Sequence, residues 1–267
     1  MNEPARLSDP CPGDLIELAC RLADTSGPVI RSHFRTGLNI ERKLDETPVT
    51  VADREAEAVM REVLEREVPD HGIHGEEYGI VRGDAAHVWV LDPIDGTQAF
   101  MTGLPIFGTL IALARNGLPW LGVIDQPVLS ERWVGASGHP TRFNGNPAAT
   151  SGQTALAEAS LYSTSPDMFT GADAAAFARL KERVRTNRFG GDCYQYGLVA
   201  SGHVDLVVEA GLATYDYMAL APVVEGAGGV FTDWEGRPMS VKSDGRVIAA
   251  ATPALHRAAL GVLADGA

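Results

Sequence analysis

The chain has 267 residues, a formal net charge of −13, three cysteines and 45% hydrophobic residues. This length and apolar share allow one large domain, or two smaller units around a shared core. The acidic balance argues against nucleic acid as a partner, no apolar run approaches the roughly 18 residues of a membrane span, and an odd cysteine count without a Cys-x-x-Cys pair argues against a disulfide framework or a zinc site.

Glu3, Asp9 and Asp14 stand where a signal peptide would be basic and then apolar, so a reducing cytoplasm is the expected location. Pro4, Pro10 and Pro12 suggest that the first dozen residues are a loose lead-in. Residues 13–34 predict a helix, with Leu15, Leu18, Ala19, Leu22 and Ala23 at helical spacing. A polar stretch closed by Pro48 follows, and a second helix is expected from Thr50, with Val59, Met60, Val63 and Leu64 on its apolar face. Residues 72–77 read as a short strand ending in acids, and His87 to Leu91 as a buried strand. Residues 109–114 and 120–124 flank an Asn116-Gly117 turn, a hairpin signal, and residues 131–136 extend the meander.

The pattern then changes. Short strands are expected at 161–163, 204–208, 230–232 and 247–251. They alternate with helices at 172–185, 194–201, from Asp216 to Gly228-Gly229, and from Pro253 onward. A first half with an antiparallel sheet, 13–143, and an α/β half, 144–267, are therefore expected. The junction falls in the Gly-, Pro- and Asn-rich stretch 138–152.

The stretch Trp89 to Thr97, W-V-L-D-P-I-D-G-T, carries the most chemistry. An apolar strand delivers Asp92 and Asp95 to its end, where hard oxygen ligands suit Mg²⁺. Pro93 ends the pairing, Gly96 admits a close approach, and a helix starting at Gly96 would offer free N–H groups to a phosphate. The other acids read ambiguously by themselves. Asp53 suits a helix start, Glu76-Glu77 a solvated strand end, and Asp216 a helix cap. The pair Asp92 and Asp95 favours a metal, because a carboxylate abutting Val88 to Leu91 would be costly to bury unpaired.

These pieces together resemble the inositol monophosphatase-like superfamily of Mg²⁺-dependent phosphatases. Trp89 to Thr97 matches its W-x-x-D-P-x-D-G-T pattern, Thr47 to Asp53 its first acidic element, and Gly75-Glu76-Glu77 its G-E-E element. Tyr215 to Ala219, followed by Glu225 to Gly229, is similar to its late W-D-x-x-A and E-A-G-G elements, with Tyr215 in place of Trp. The resemblance covers nearly everything after residue 13. It implies a layered αβαβα fold (α+β and α/β), with an antiparallel N-terminal and a mixed C-terminal sheet.

The resemblance also implies roles. Glu76, Asp92 and the Ile94 carbonyl would hold one Mg²⁺, and Asp92, Asp95 and Asp216 a second. A weaker third ion would lie near Glu76. Asp53 and Thr97 would orient or deprotonate the attacking water, and the Gly96 and Thr97 amides would receive the phosphate. Lys43 would sit on a loop near the third ion. A homodimer acting on a small phosphate ester, away from membranes, is the expected assembly.

Substrate choice is sought in Asp192, where inositol monophosphatases usually carry a small residue, and in Glu209, which matches a family glutamate on the alcohol side. Asp192 would suit an ammonium, though a helix cap before Tyr194 is the plainer reading. Gly190 to Tyr194, Gly75 to Gly79, Asp95 to Pro105 and Tyr215 to Tyr217 look like the histidinol-phosphatase branch. The expected activity is hydrolysis of L-histidinol phosphate. The alternatives are an inositol-1-phosphatase, a broad phosphatase of the same fold, or an idle metal- or partner-binding regulator.

Overall fold

Alternation along the strands sorts the apolar residues into three large cores, with a smaller fourth cluster around Ile94, and the large cores stack the elements into five layers. The protein is described here from a computed structural model covering residues 9–36 and 48–264. The expectations for Thr47 and Lys43 lie outside the described residues.

The first half comprises α1 (Gly13–His33), α2 (Pro48–Glu67), β1 (Gly72–Gly75), β2 (Gly79–Val81), β3 (His87–Asp95), α3 (Thr97–Thr102), β4 (Gly108–Arg115), β5 (Leu118–Gln126), β6 (Glu131–Ala136), β7 (His139–Phe143) and β8 (Asn146–Pro147). Its strands form one eight-stranded sheet in the order β2-β1-β3-β4-β5-β6-β7-β8. Only the β1–β3 pair is parallel. The second half comprises β9 (Ser160–Ser163), α4 (Gly171–Lys181), β10 (Thr186–Phe189), α5 (Tyr194–Ala200), β11 (Leu206–Glu209), α6 (Thr214–Tyr217), α7 (Leu220–Gly226), β12 (Val230–Thr232), β13 (Val247–Ala250) and α8 (Pro253–Ala264). Its five strands run β10-β9-β11-β13-β12. Pairing is parallel from β10 to β11 and antiparallel onward to β12, so the sheet is mixed.

On β3, Trp89 and Leu91 face α1 and α2, where Leu18, Leu22, Met60 and Leu64 complete a buried cluster. Val88 and Val90 point the other way, into a cluster shared with Val199 of α5, Val223 and Val224 of α7, and Val207 of β11. This middle layer joins the two sheets. Leu206 and Val208 of β11 face outward to Phe177 and Leu180 of α4 and Leu255 and Ala259 of α8. The order is helix, sheet, helix, sheet, helix, which is the αβαβα arrangement the resemblance implied.

Several local expectations change. Asp9 to Pro12 is not loose. Cys11 is 1% exposed, its N–H donates to the Ser137 carbonyl at 2.9 Å, and Trp120 Nε1 donates to the Asp9 carbonyl. A short lead-in that covers apolar side chains is held by them despite its prolines. The second helix starts at Pro48, ahead of Thr50, with proline in a first turn that needs no N–H. The helix expected from Asp216 is two pieces, α6 and α7. Pro222 explains the break, since it cannot donate to the Met218 carbonyl and its ring crowds that group. The helix over 172–185 stops at Lys181, and Thr186–Phe189 forms an exposed, polar strand instead.

Gly122 and Gly135 are partners across β5 and β6. A Cβ at Gly122 would lie 1.9 Å from the Ala219 carbonyl oxygen, and one at Gly135 2.3 Å from that of Pro222. The sheet is bare there so that the α6–α7 break can press onto it. Gly122→Ala should therefore destabilise the protein by at least about 1–3 kcal/mol, visible as a fall of several degrees in Tm. An unchanged melting curve would contradict this close packing.

Candidate active site

Asp92 and Asp95 are three residues apart on β3, and a regular strand would send them to opposite faces. The register against β4 shifts between them: Asp92 pairs with Leu110 and Asp95 with Gly108. Three steps on β3 match two on β4, so the strand holds one extra residue, a bulge, at Pro93-Ile94. Pro93 has no N–H to leave unpaired there, and its carbonyl accepts from Thr109 Oγ1 at 2.8 Å. Ile94 buries its side chain in a cluster with Ala52 and Ala56 of α2 and Ala99 and Phe100 of α3.

The bulge puts both carboxylates on one face, and Asp216 meets them there. One oxygen from each of Asp92, Asp95 and Asp216 lies within 4.8 Å of the others. Backbone amides hold two of the three. The Cys193 N–H donates to Asp95 Oδ2 at 2.6 Å, and the Ala213 N–H to Asp216 Oδ2 at 2.7 Å. The Glu76 carboxylate lies against that of Asp92.

Glu76 sits in the turn between β1 and β2, and a residue absent from the sequence reasoning shapes that turn. Glu57 of α2 is fully buried. It accepts the N–H groups of Glu77 at 2.8 Å and Tyr78 at 3.2 Å, and Arg61 Nε donates to it at 2.6 Å. A Cβ on Gly75 would stand 1.9 Å from Glu57 Oε1, which explains the glycine of Gly75-Glu76-Glu77. The signal was present: Asp53, Glu57 and Arg61 recur every four residues on one helix face.

Arg61 pairs with Glu57 at 2.6 Å and Arg54 lies 3.5 Å from Glu77, whereas among the described residues no ion pair reaches Asp53, Asp92, Asp95 or Asp216. Asp92 is 2% exposed and Asp53 3%, and each has one oxygen, Oδ1, without a hydrogen-bond donor. Burial first, then neighbouring carboxylates, push the carboxyls up. Asp53 rises to about 8, with Glu77 and Glu76 adding to burial, and Asp216 to about 7, with Glu76 and Glu209. Asp92 and Asp95 stand well above the usual range. Buried oxygen ligands, an orphaned oxygen among them and excess negative charge form a donor set that fits a hard divalent cation such as Mg²⁺.

Gly96 and Thr97, which the resemblance assigned to the phosphate, follow at once. Gly96 takes φ 86° and precedes α3, while Thr97 Oγ1 donates to the Ile94 carbonyl at 3.3 Å. No hydrogen bond joins Thr97 to Asp53 among the described residues. Asp192 backs directly onto Gly96, where a Cβ would come within 2.9 Å of Asp192 Oδ2. It does not cap α5: Cys193 holds that position, no side chain caps the helix, and Asp192 has a left-handed φ of 43°. Burial and Glu209 raise its carboxyl to about 6. Both Gly96 and Asp192 line a cavity of about 580 Å³. Glu209 lies behind it, 2% exposed, and accepts from the Thr164 N–H, Gln195 Nε2 and Tyr196 Oη. Tyr215, beside Asp216, meets the edge of His74 with ring centroids 6.3 Å apart.

The sequence profile of the inositol monophosphatase family matches residues 13–265. The chain belongs to the inositol monophosphatase family. It is similar to the bifunctional phosphatase IMPL2, chloroplastic, of Arabidopsis thaliana, with 46% identity over 97% of this chain and 78% of that protein. A histidinol-phosphatase of Chlorobaculum parvum is 34% identical over 94% of this chain and 97% of its own. Among solved structures, an inositol monophosphatase from Zymomonas mobilis superposes with a TM-score of 0.89 at 50% identity, covering 94% of this chain and 97% of that one. This inositol monophosphatase-family phosphatase has, among its described residues, no helix long and apolar enough to cross a membrane.

The metal-free charge cluster makes stability depend on pH. Acids with folded pKa values above their unfolded value of about 4 contribute fully below that pH and lose the contribution as pH rises toward the folded value, about 8 for Asp53. Chelator-treated protein should therefore melt at a lower temperature at pH 8 than at about pH 5. Mg²⁺ at 100-fold its Kd should add about 2.7 kcal/mol, with the larger rise in Tm at pH 8. A Tm at pH 8 indifferent to Mg²⁺ would count against a cation in this cluster.

Proposed function

We propose that this phosphatase hydrolyses L-histidinol phosphate to L-histidinol and phosphate by direct attack of water, with Mg²⁺ held by its clustered carboxylates. The observation that carries the substrate choice is Asp192, a carboxylate pressed against Gly96 in the cavity that adjoins Thr97. An ester whose alcohol bears an ammonium next to the ester carbon meets a charge-assisted partner there. The histidinol-phosphatase of Chlorobaculum parvum, alike over nearly its full length, supports the same choice.

The chemistry follows from the chain's own residues. Asp92, Asp95 and Asp216 would hold one ion, and Glu76, Asp92 and the Ile94 carbonyl another. Bound Mg²⁺ supplies a lowered pKa for coordinated water and neutralises charge on the leaving oxygen. The N–H groups of Gly96 and Thr97, at the start of α3, receive the phosphate. Asp53 offers the unpartnered Oδ1 to the proton of the attacking water, and Thr97 orients that water through its hydroxyl. Asp192 takes the ammonium, and Glu209 acts on the alcohol side by fixing Tyr196 and Gln195 of α5, the helix that begins beside Asp192.

Hydrolysis of inositol-1-phosphate is a second reading, favoured by the likeness to the Zymomonas mobilis inositol monophosphatase. A substrate panel with Mg²⁺ decides between them, and Asp192→Ala sharpens it. That variant should lose at least about tenfold in kcat/KM on histidinol phosphate and much less on glycerol 2-phosphate. Equal losses, or a wild-type preference for inositol-1-phosphate, would refute the substrate assignment. Asp92→Asn separates chemistry from folding. It should abolish turnover on every ester while raising the Tm of the metal-free protein, because a buried uncompensated charge is removed. Near-normal turnover in that variant would remove the metal-based mechanism.

A further inference from the structure

The cavity beside Gly96 is lined by the hydroxyls and amide of Thr97, Gln98, Thr102, Thr164 and Ser165, and also has an apolar and an acidic part. Leu104 and Ile106 make one apolar side, and Asp192 and Asp167 bring carboxylates from two separate elements. Among the described residues, no Lys, Arg or His lines it. Asp167 lies on the one-turn 3₁₀ helix Pro166–Met168, which follows β9 in the second half of the chain. Ser165 Oγ accepts the Asp167 N–H at 3.1 Å and holds the start of that turn.

We infer that Asp167 is a second recognition residue, taking the heteroaromatic base of an amino-alcohol phosphate while Asp192 takes its ammonium. The inference rests on the substrate class proposed above and concerns its far end. Histidinol phosphate carries the ammonium one carbon from the ester carbon and the imidazole further out. Its positive groups are thus spaced along one chain. The cavity matches that order, with Asp192 against the phosphate-receiving Gly96 and Asp167 on a different turn. The Leu104 and Ile106 side suits the methylene and ring carbons, and offers nothing to a polyol ring whose every carbon bears a hydroxyl. Asp167 is exposed, so solvent screens its contribution. The effect should therefore fall on selectivity and on KM more than on kcat.

Three esters separate the ends of the site: histidinol phosphate, phosphoethanolamine, which keeps the ammonium without the ring, and glycerol 2-phosphate, which has neither. Asp167→Asn keeps the backbone N–H bond to Ser165 and should leave Tm unchanged. It should raise KM for histidinol phosphate about two- to fivefold, and lower the preference for histidinol phosphate over phosphoethanolamine by a similar factor. Asp167→Glu should restore part of that preference. An unmoved preference in Asp167→Asn, or a fall shared equally by all three esters, overturns the role of Asp167 alone. A wild-type enzyme that prefers neither amine ester over glycerol 2-phosphate overturns the substrate class, and this inference with it.

Discussion

One extra residue in β3 controls the chemistry of this protein. Without the bulge at Pro93-Ile94, Asp92 and Asp95 would face opposite sides of the sheet. With it, both face Asp216. The shift is locked from three directions: by Thr109 on the Pro93 carbonyl, by the burial of Ile94 between α2 and α3, and by the left-handed Gly96 that turns the chain into α3. The same side-chain cluster carries Ala52 and Ala56, the neighbours of Asp53 and Glu57 on α2. The helix that supplies Asp53 is therefore packed against the strand irregularity that supplies the other carboxylates.

The layered architecture exists around this point. The α6–α7 break lies on glycines of β5 and β6 so closely that no Cβ fits at Gly122, and the break sets Asp216 over the bulge. Glu57 shapes the turn that carries Glu76 and is itself satisfied by two amides and Arg61. Asp92 and Asp53 are not satisfied, and each keeps a bare buried oxygen. Unpaired buried acids cost stability. Their neighbours in the same layers are tightly packed apolar side chains, so the strain is concentrated at the site and offset elsewhere.

Much of this was legible in the chain. An apolar strand ending in acids, a Gly-Thr turn and the order of later motifs carried the family resemblance, and the resemblance implied the layered fold. The same motifs also named the acids that the structure brings together: Asp92, Asp95, Asp216 and Glu76. What escaped has physical reasons. Glu57 looks like one more charge on an acidic helix, because its clamp on the Glu77 and Tyr78 amides joins residues 20 and 21 positions apart. β10 shows no apolar alternation because it is exposed along its length. The broken helix at Asp216 hides behind good helical spacing, and only Pro222 betrays it. The anchored lead-in depends on Trp120 and Ser137 more than 100 residues away, which no local pattern reports.

Asp192 joins the two tasks of the site. Its left-handed φ of 43° is a conformation that non-glycine residues adopt at a cost of roughly 1 kcal/mol or more, with aspartate among the more tolerant. Two glycines, Gly190 and Gly191, precede the strained residue, and Gly190 is also left-handed. The residue after Asp192 is Cys193, whose N–H reaches Asp95 at 2.6 Å. The backbone twist that turns the Asp192 side chain toward Gly96 thus also aims an amide at a carboxylate of the cluster. A glycine would hold that twist at lower cost and would keep the amide on Asp95, but it would bring no charge to the cavity. An aspartate in that position is what the backbone alone does not require, and the proposed ammonium-bearing substrate would supply a physical reason for it.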